Sequence, residues 1–270
     1  MRRRLLAMDL DGTLVGPDLI VSPRNRAALN AAREKGVFVT LATGRMLRST
    51  LPFARALSLT TPIICYQGAM VADPVTGEVL LHRTVPLVLA REVLALAEAR
   101  GWHIHFYVDD VMYVDEMTSQ VTVYTSIVTD AMPRAVGNLR AFLDRLPDGS
   151  EPTKLLIIGD EAATTATLVE LRERFSARLY ITRSMPTFAE VANRECSKGA
   201  ALSWLAGRLG VAQADTVAIG DALNDLEMVR WAGTGVAVGN AVPELAAVAG
   251  YRTSAVDRDG VAEAIERYLL

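Results

Sequence analysis

The hydrophobic pattern opens with Leu5-Leu6-Ala7-Met8, a short unbroken apolar run stopped by the acidic loop at residues 9–18. Strands buried on both faces of a parallel sheet read this way, because neither face alternates with polar positions. Ser22-Pro23 then gives an N-cap followed by a first helical proline, and Ala27, Ala28, Leu29, Ala31 and Ala32 carry the apolar stripe to a stop at Gly36. The pattern next predicts a strand at 37–42, a helix around 52–57 and a strand at 62–66. It resumes near the C-terminus with a helix at 198–209, a strand at 216–219, a helix at 224–231, a strand at 235–238 and a helix after Gly260. Strand and helix in alternation predict an α/β protein with a parallel sheet.

Between these two stretches the texture changes. Residues 84–187 predict helices at 87–100 and 164–175 and strands at 103–108, 111–114, 154–158 and 178–182, an inserted second domain. The strand at 103–108 alternates His103, His105 and Tyr107 with Ile104, Phe106 and Val108. The apolar set should lie under the helices of the insert. The polar set should face outward, toward solvent or toward a bound substrate.

Composition narrows the function classes. A chain of 270 residues, 51% hydrophobic and 22% charged, can fill two cores. The net charge is -3 with scattered basic residues, so no positive stripe is offered and nucleic acid is not an expected partner. Arg2-Arg3-Arg4 reads as solvated arginines ahead of a strand. No apolar stretch approaches the roughly 18 residues that span a bilayer, so no membrane partner is expected. Cys65 and Cys196 lack metal-type spacing and read as reduced thiols, which fits a soluble, cytoplasmic protein.

Chemistry gathers where strands end. Asp9-Leu10-Asp11-Gly12-Thr13 follows the first strand, at the carboxyl edge where open α/β sheets place ligands. Carboxylates at i and i+2 of extended backbone share a side, and their repulsion calls for a proton or a cation. Asp-Gly alone is equally a common turn. Gly220-Asp221-Ala222-Leu223-Asn224-Asp225 brings two further acids to the same edge, a set of oxygen donors that suits Mg²⁺, although it also reads as a helix cap. Thr43-Gly44-Arg45 offers a hydroxyl, backbone N–H groups and a guanidinium suited to phosphate. Lys198 starts a helix, against the macrodipole, so it is either balanced by a nearby anion or an ordinary solvated lysine.

In order along the chain, Asp9-x-Asp11-Gly12-Thr13, Thr43-Gly44-Arg45, Ser197-Lys198-Gly199, Gly220-Asp221-x-x-Asn224-Asp225, Gly239-Asn240-Ala241 and Asp259-Gly260-Val261 resemble the motifs of the haloacid dehalogenase superfamily, specifically its Cof-type, type IIB capped phosphatases. The resemblance implies a doubly wound, Rossmann-like parallel core at 1–83 and 188–270, with an inserted α/β cap at 84–187 that sets substrate specificity. It implies that Asp9 is the nucleophile that forms an aspartyl phosphate, and that Asp11 is the general acid and base. Thr43, Gly44, Lys198 and Asn224, with Asp9, would hold the phosphoryl group. Asp9, Asp11 (by its backbone carbonyl), Asp221 and Asp225 would hold Mg²⁺. The partner implied is a small phosphorylated metabolite, with sugar phosphates, phosphoglycolate, FMN and pyridoxal phosphate all open and a sugar phosphate favoured; the alternation of the strand at 103–108 adds His103, His105 and Tyr107 as candidate cap contacts. The physiological substrate and the oligomeric state are not readable from the chain. A phosphomannomutase-type phosphotransferase and a regulatory module that merely accepts phosphate on Asp9 are the alternatives. Two departures stand out: Gln67-Gly68-Ala69 replaces a frequent Asn-Gly-Ala, and no lysine follows Gly239-Asn240-Ala241, where the chain reads Val242-Pro243-Glu244-Leu245.

Overall fold

The structure, a computed structural model, describes residues 3–127 and 132–270. Arg2, one of the three arginines at the start of the chain, lies outside the described residues. The chain divides into two compact units, one formed by Met1–Gly44, Leu51–Leu81 and Ser197–Leu270, the other by Arg45–Thr50 and His82–Cys196.

In the first unit a five-stranded sheet runs in the order Tyr251–Arg252, Thr234–Ala237, Thr216–Gly220, Arg4–Met8, Val37–Leu41, with every pair parallel. The chain winds one way from the first strand to Val37–Leu41 and the other way through the three C-terminal strands. This doubly wound order makes the first strand a topological switch point. Register brings the strand ends level: Asp9 N–H donates to the Ile219 carbonyl at 3.0 Å, and Ala42 N–H to the Met8 carbonyl at 2.8 Å. Ser22 caps the helix Pro23–Glu34 by accepting from Asn25 N–H, as its sequence predicts. The apolar faces of the strands and of the helix Lys198–Leu209 meet in a core that includes Leu5, Ile64, Leu202, Leu205 and Met228.

Several boundaries differ from expectation for physical reasons. The predicted helix at 52–57 begins at Leu47, because the Asp110 carboxylate accepts from the N–H groups of Leu47 and Arg48 at 3.0 and 2.9 Å and caps the helix from a distant turn. The predicted helix at 224–231 splits into a 3₁₀ turn, Leu223–Asp225, and a helix, Leu226–Trp231. The second unit extends to Cys196 rather than ending at 187, since Phe188–Asn193 is a strand paired on both sides with strands of that unit.

The second unit carries a six-stranded, mostly antiparallel sheet in the order Leu179–Met185, Phe188–Asn193, Lys154–Ile158, His103–Val108, Val111–Val114, Arg134–Ala135. Ile104, Phe106 and Val108 pack with the helices Leu87–Arg100, Leu139–Leu143 and Glu161–Phe175. The opposite face was expected to point outward, and the structure corrects this. His105 and Tyr107 are fully buried and His103 is half-buried. The helix Ser119–Ile127 places Tyr124 on that face, where Tyr107 donates to its hydroxyl at 2.9 Å and the His105 ring meets its ring edge-on at 4.8 Å. Beside them Lys154 and Glu190 form an ion pair at 2.8 Å, with side chains only 3% and 5% exposed.

Among the described residues no helix is long and apolar enough to cross a membrane.

Burial, reinforced by His103 and Lys154, pulls the His105 imidazole down to about 3. The unfolded chain therefore binds a proton that the folded chain refuses. Stability from this group is complete above the ordinary histidine value near 6.5 and is lost as pH falls below it, by up to about 1.4 kcal/mol per pH unit. Urea midpoints at pH 7.5 and 5.0 should differ more in the parent protein than in His105→Gln. An identical pH dependence in the two would rule out this burden.

Candidate active site

Each acidic residue of the site reaches the sheet edge from a loop that leaves a parallel strand. Asp9 follows Arg4–Met8, and Asp221 and Asp225 follow Thr216–Gly220. Lys198 is the first residue of the helix Lys198–Leu209, whose cap Ser197 accepts from Ala200 N–H. That cap fixes the helix start and with it the direction in which the lysine leaves.

The lysine is not solvated. Its side chain has 0% exposure, and its ammonium donates to Asp9 Oδ1 at 2.5 Å and to Asp225 Oδ1 at 2.6 Å. A cation at a helix N-terminus is thus balanced by two buried anions, the first of the two readings the sequence leaves open. Burial pulls the Lys198 ammonium toward neutrality, but Asp225 and Asp9 outweigh it and hold the proton more tightly than usual.

The second oxygen of Asp225 accepts from the N–H groups of Asp221 and Ala222 at 3.0 and 3.1 Å. Asp225 therefore faces the lysine with one oxygen and fastens the Asp221 loop with the other. Thr13 donates to Asp221 Oδ1 at 2.8 Å, and Asn240 donates to the Gly12 carbonyl at 2.8 Å, tying the Asp9–Thr13 loop to both C-terminal loops. Neither Thr13 nor Asn240 stood among the residues assigned from sequence, although both lie inside motifs that carry the resemblance.

One carboxylate oxygen from each of Asp9, Asp221 and Asp225 lies within 4.8 Å of the others, while the Asp11 side chain stands outside this group and is half-buried. Burial raises Asp9 well above the ordinary carboxyl range; Lys198 opposes this, and Asp225, Asp221 and Asp11 add to it. Asp221 rises to about 6, first by burial and then by Asp225. Oxygen-only donors with more negative charge than one lysine can balance fit a hard divalent cation such as Mg²⁺.

Of the phosphate-binding candidates, Thr43 is buried and Gly44 half-buried at the same sheet edge, just past Val37–Leu41. Thr43 N–H donates to the Ile64 carbonyl at 2.9 Å. Asn224 is buried and donates to Gln67 Oε1 at 2.9 Å. Gln67, noticed in the sequence only as a departure from a motif, is thereby part of this site. His103, His105 and Tyr107 belong to the interior cluster of the second unit.

A model of the haloacid dehalogenase-like hydrolases matches residues 6–265. An HMP-PP phosphatase of Serratia proteamaculans is 35% identical over 248 residues, covering 90% of this chain and 86% of the relative. A 5-amino-6-(5-phospho-D-ribitylamino)uracil phosphatase of Bacillus subtilis is 31% identical over 270 residues, covering 99% and 96%. Among solved structures, a haloacid dehalogenase-like hydrolase from Bacteroides thetaiotaomicron superposes with a TM-score of 0.85 at 30% identity, covering 98% of this chain and 99% of that one.

The raised Asp221 value has a definite sign. In metal-free protein its contribution to stability is complete below the ordinary value near 4 and is lost as pH rises through about 6. A cation that binds the ionised carboxylate reverses this cost, so Mg²⁺ affinity should climb between pH 5 and 7.5 with release of protons. Calorimetry in buffers of different ionisation enthalpy measures both quantities. Affinity that is flat over that range would remove Asp221 from the ligand set.

Proposed function

This chain belongs to the haloacid dehalogenase-like hydrolases, and from that premise we propose that it is a Mg²⁺-dependent phosphomonoesterase of small phosphorylated metabolites that works through an aspartyl phosphate on Asp9. The observation that carries the reading is Lys198, fully buried between Asp9 and Asp225 at the carboxyl edge of the sheet. A buried cation fixed against a carboxylate nucleophile is what a doubly charged phosphoryl group needs as it approaches an anion.

In the first half-reaction an Asp9 oxygen forms a bond to phosphorus as the bond to the substrate oxygen breaks, and Asp11 gives its proton to the departing alkoxide. In the second, Asp11 takes a proton from water, the resulting oxygen bonds to phosphorus, and the Asp9–phosphorus bond breaks to release orthophosphate. Lys198 and the Thr43 hydroxyl hold the non-bridging oxygens, with Asn224 beside them. Asp225 acts at one remove, by holding Lys198 and the Asp221 loop. Asp9 and Asp221 would be the carboxylate ligands of Mg²⁺, with the Asp11 backbone carbonyl. When bound, the ion supplies further neutralisation of phosphoryl charge.

The relatives named above support a metabolite-sized substrate, and a sugar phosphate belongs in the same class. Asp9→Asn should lower kcat on p-nitrophenyl phosphate with Mg²⁺ by at least about a thousandfold, because the near-isosteric amide cannot form the acyl phosphate. Retention of a tenth of the parent activity would sink the nucleophile assignment. A panel containing a sugar phosphate, HMP-PP and 5-amino-6-(5-phospho-D-ribitylamino)uracil then ranks the substrate classes by kcat/KM.

A further inference from the structure

The short 3₁₀ turn Tyr66–Gly68 holds three successive residues at positive φ: Tyr66 at 52°, Gln67 at 58° and Gly68 at 94°. Glycine accepts this region freely, whereas side-chain-bearing residues are uncommon there and persist only where their surroundings fix them. Two in a row, both fully buried, mark a backbone held in place for a purpose other than chain reversal.

The contacts of the turn show what it is held against. Gln67 N–H donates to the Thr43 carbonyl at 3.1 Å, and Gln67 Oε1 accepts from Asn224 Nδ2 at 2.9 Å. A Cβ on Gly44 would stand 2.3 Å from Gln67 Nε2, so the side-chain amide lies directly on the Gly44 backbone. A Cβ on Gly68 would stand 2.1 Å from the Ser197 carbonyl, immediately before Lys198. The turn therefore touches all three loops that carry the phosphate-binding residues Thr43 and Gly44, Lys198, and Asn224. Asn224 Oδ1 is buried and accepts no hydrogen bond among the described residues, so the side-chain hydrogen bond shown for this amide is the one its Nδ2 donates to Gln67, which sets its orientation.

We infer that Gln67 is a positioning residue for phosphoryl transfer, which acts by orienting the Asn224 amide and seating the Gly44 backbone beside the nucleophile loop. This rests on the phosphatase reading above. Glycine at 44 and 68 is required by the close approach. A glutamine at 67 reaches Asn224 from a backbone conformation that places its amide flat on Gly44.

A double-mutant cycle tests the assignment, because residues acting through one another lose less together than the product of their separate losses. Gln67→Met keeps the side-chain length and the packing on Gly44 without the amide. It should lower kcat by roughly 10- to 100-fold, the scale of a small misplacement, with KM changed by less than about threefold. Gln67→Asn, at ease at positive φ but one methylene short, should lose a similar amount. Asn224→Ala should cost far less in the Gln67→Met background than in the parent protein. The same cycle read on orthovanadate affinity with Mg²⁺, by calorimetry, separates the two ideas. Absent turnover with coupled vanadate losses overturns the phosphatase reading and keeps the pair; strictly multiplicative losses in both measurements overturn the pair. Parent-like kinetics in Gln67→Met with only a lowered melting temperature would also overturn it, since that is the behaviour of a purely structural residue.

Discussion

The whole site depends on the gathering of like charge at one point of low dielectric. Parallel register sets the loops after Arg4–Met8 and Thr216–Gly220 at the same level, and each brings carboxylates there. Two unit charges about 4 Å apart interact by roughly 4 kcal/mol at the effective dielectric of a protein surface, and more strongly inside. Folding can tolerate such a group only with a counter-charge in place. Lys198 is that counter-charge, and its position is fixed by the Ser197 cap, the start of the helix Lys198–Leu209 and the two oxygens it contacts. Removing one partner from a buried charge set costs more than forming it gains, so the loops that carry Asp9, Lys198 and Asp225 are held to one another by these contacts.

That dependence explains why the core site was legible in the sequence. Buried parallel strands read as unbroken apolar runs, and the segment after each run must be the carboxyl-edge loop, so the pattern alone assigns Asp9, Asp221 and Asp225 to one edge. Lys198 stood out by its misfit with the helix dipole. The turn at Tyr66–Gly68 gave no such signal, because nothing in a tyrosine or a glutamine announces positive φ. The start of the helix Leu47–Ala56 was hidden for a different reason. Its cap, Asp110, lies more than sixty residues away in sequence and cannot be found by local pattern.

In the second unit the period of the strand His103–Val108 was read correctly and its surroundings were not. The helix Ser119–Ile127 is rich in threonine, valine and serine, residues of modest helix propensity, and so left no periodic trace. Yet that helix supplies Tyr124, which turns the polar face of the sheet into an interior of paired hydroxyls, imidazoles meeting edge-on and the Lys154–Glu190 ion pair. Such a cluster is a poor source of stability, because desolvating two charges consumes most of what their attraction returns. Its hydrogen-bonding demands are geometrically strict, and a polar interior of this kind fixes side-chain orientation more narrowly than an apolar one would.

The acid cluster carries the same logic into the chemistry. In the proposed role of Asp9 as nucleophile it must be ionised, but burial and three neighbouring carboxylates favour its protonated form, while Lys198 alone pulls the other way. A free carboxylate would be a ready anion and a weakly oriented nucleophile. A buried one is oriented but reluctant to ionise. Under the proposed mechanism positive charge would serve two purposes at this edge: it would neutralise the incoming phosphoryl group, and it would keep the nucleophile in the state that can react. The lysine meets the second need before any substrate arrives, since its ammonium holds its proton more tightly than usual and stays charged wherever Asp9 is to be ionised. Negative charge beyond what one lysine balances is what makes the Asp9, Asp221 and Asp225 oxygens a fitting donor set for a hard divalent cation.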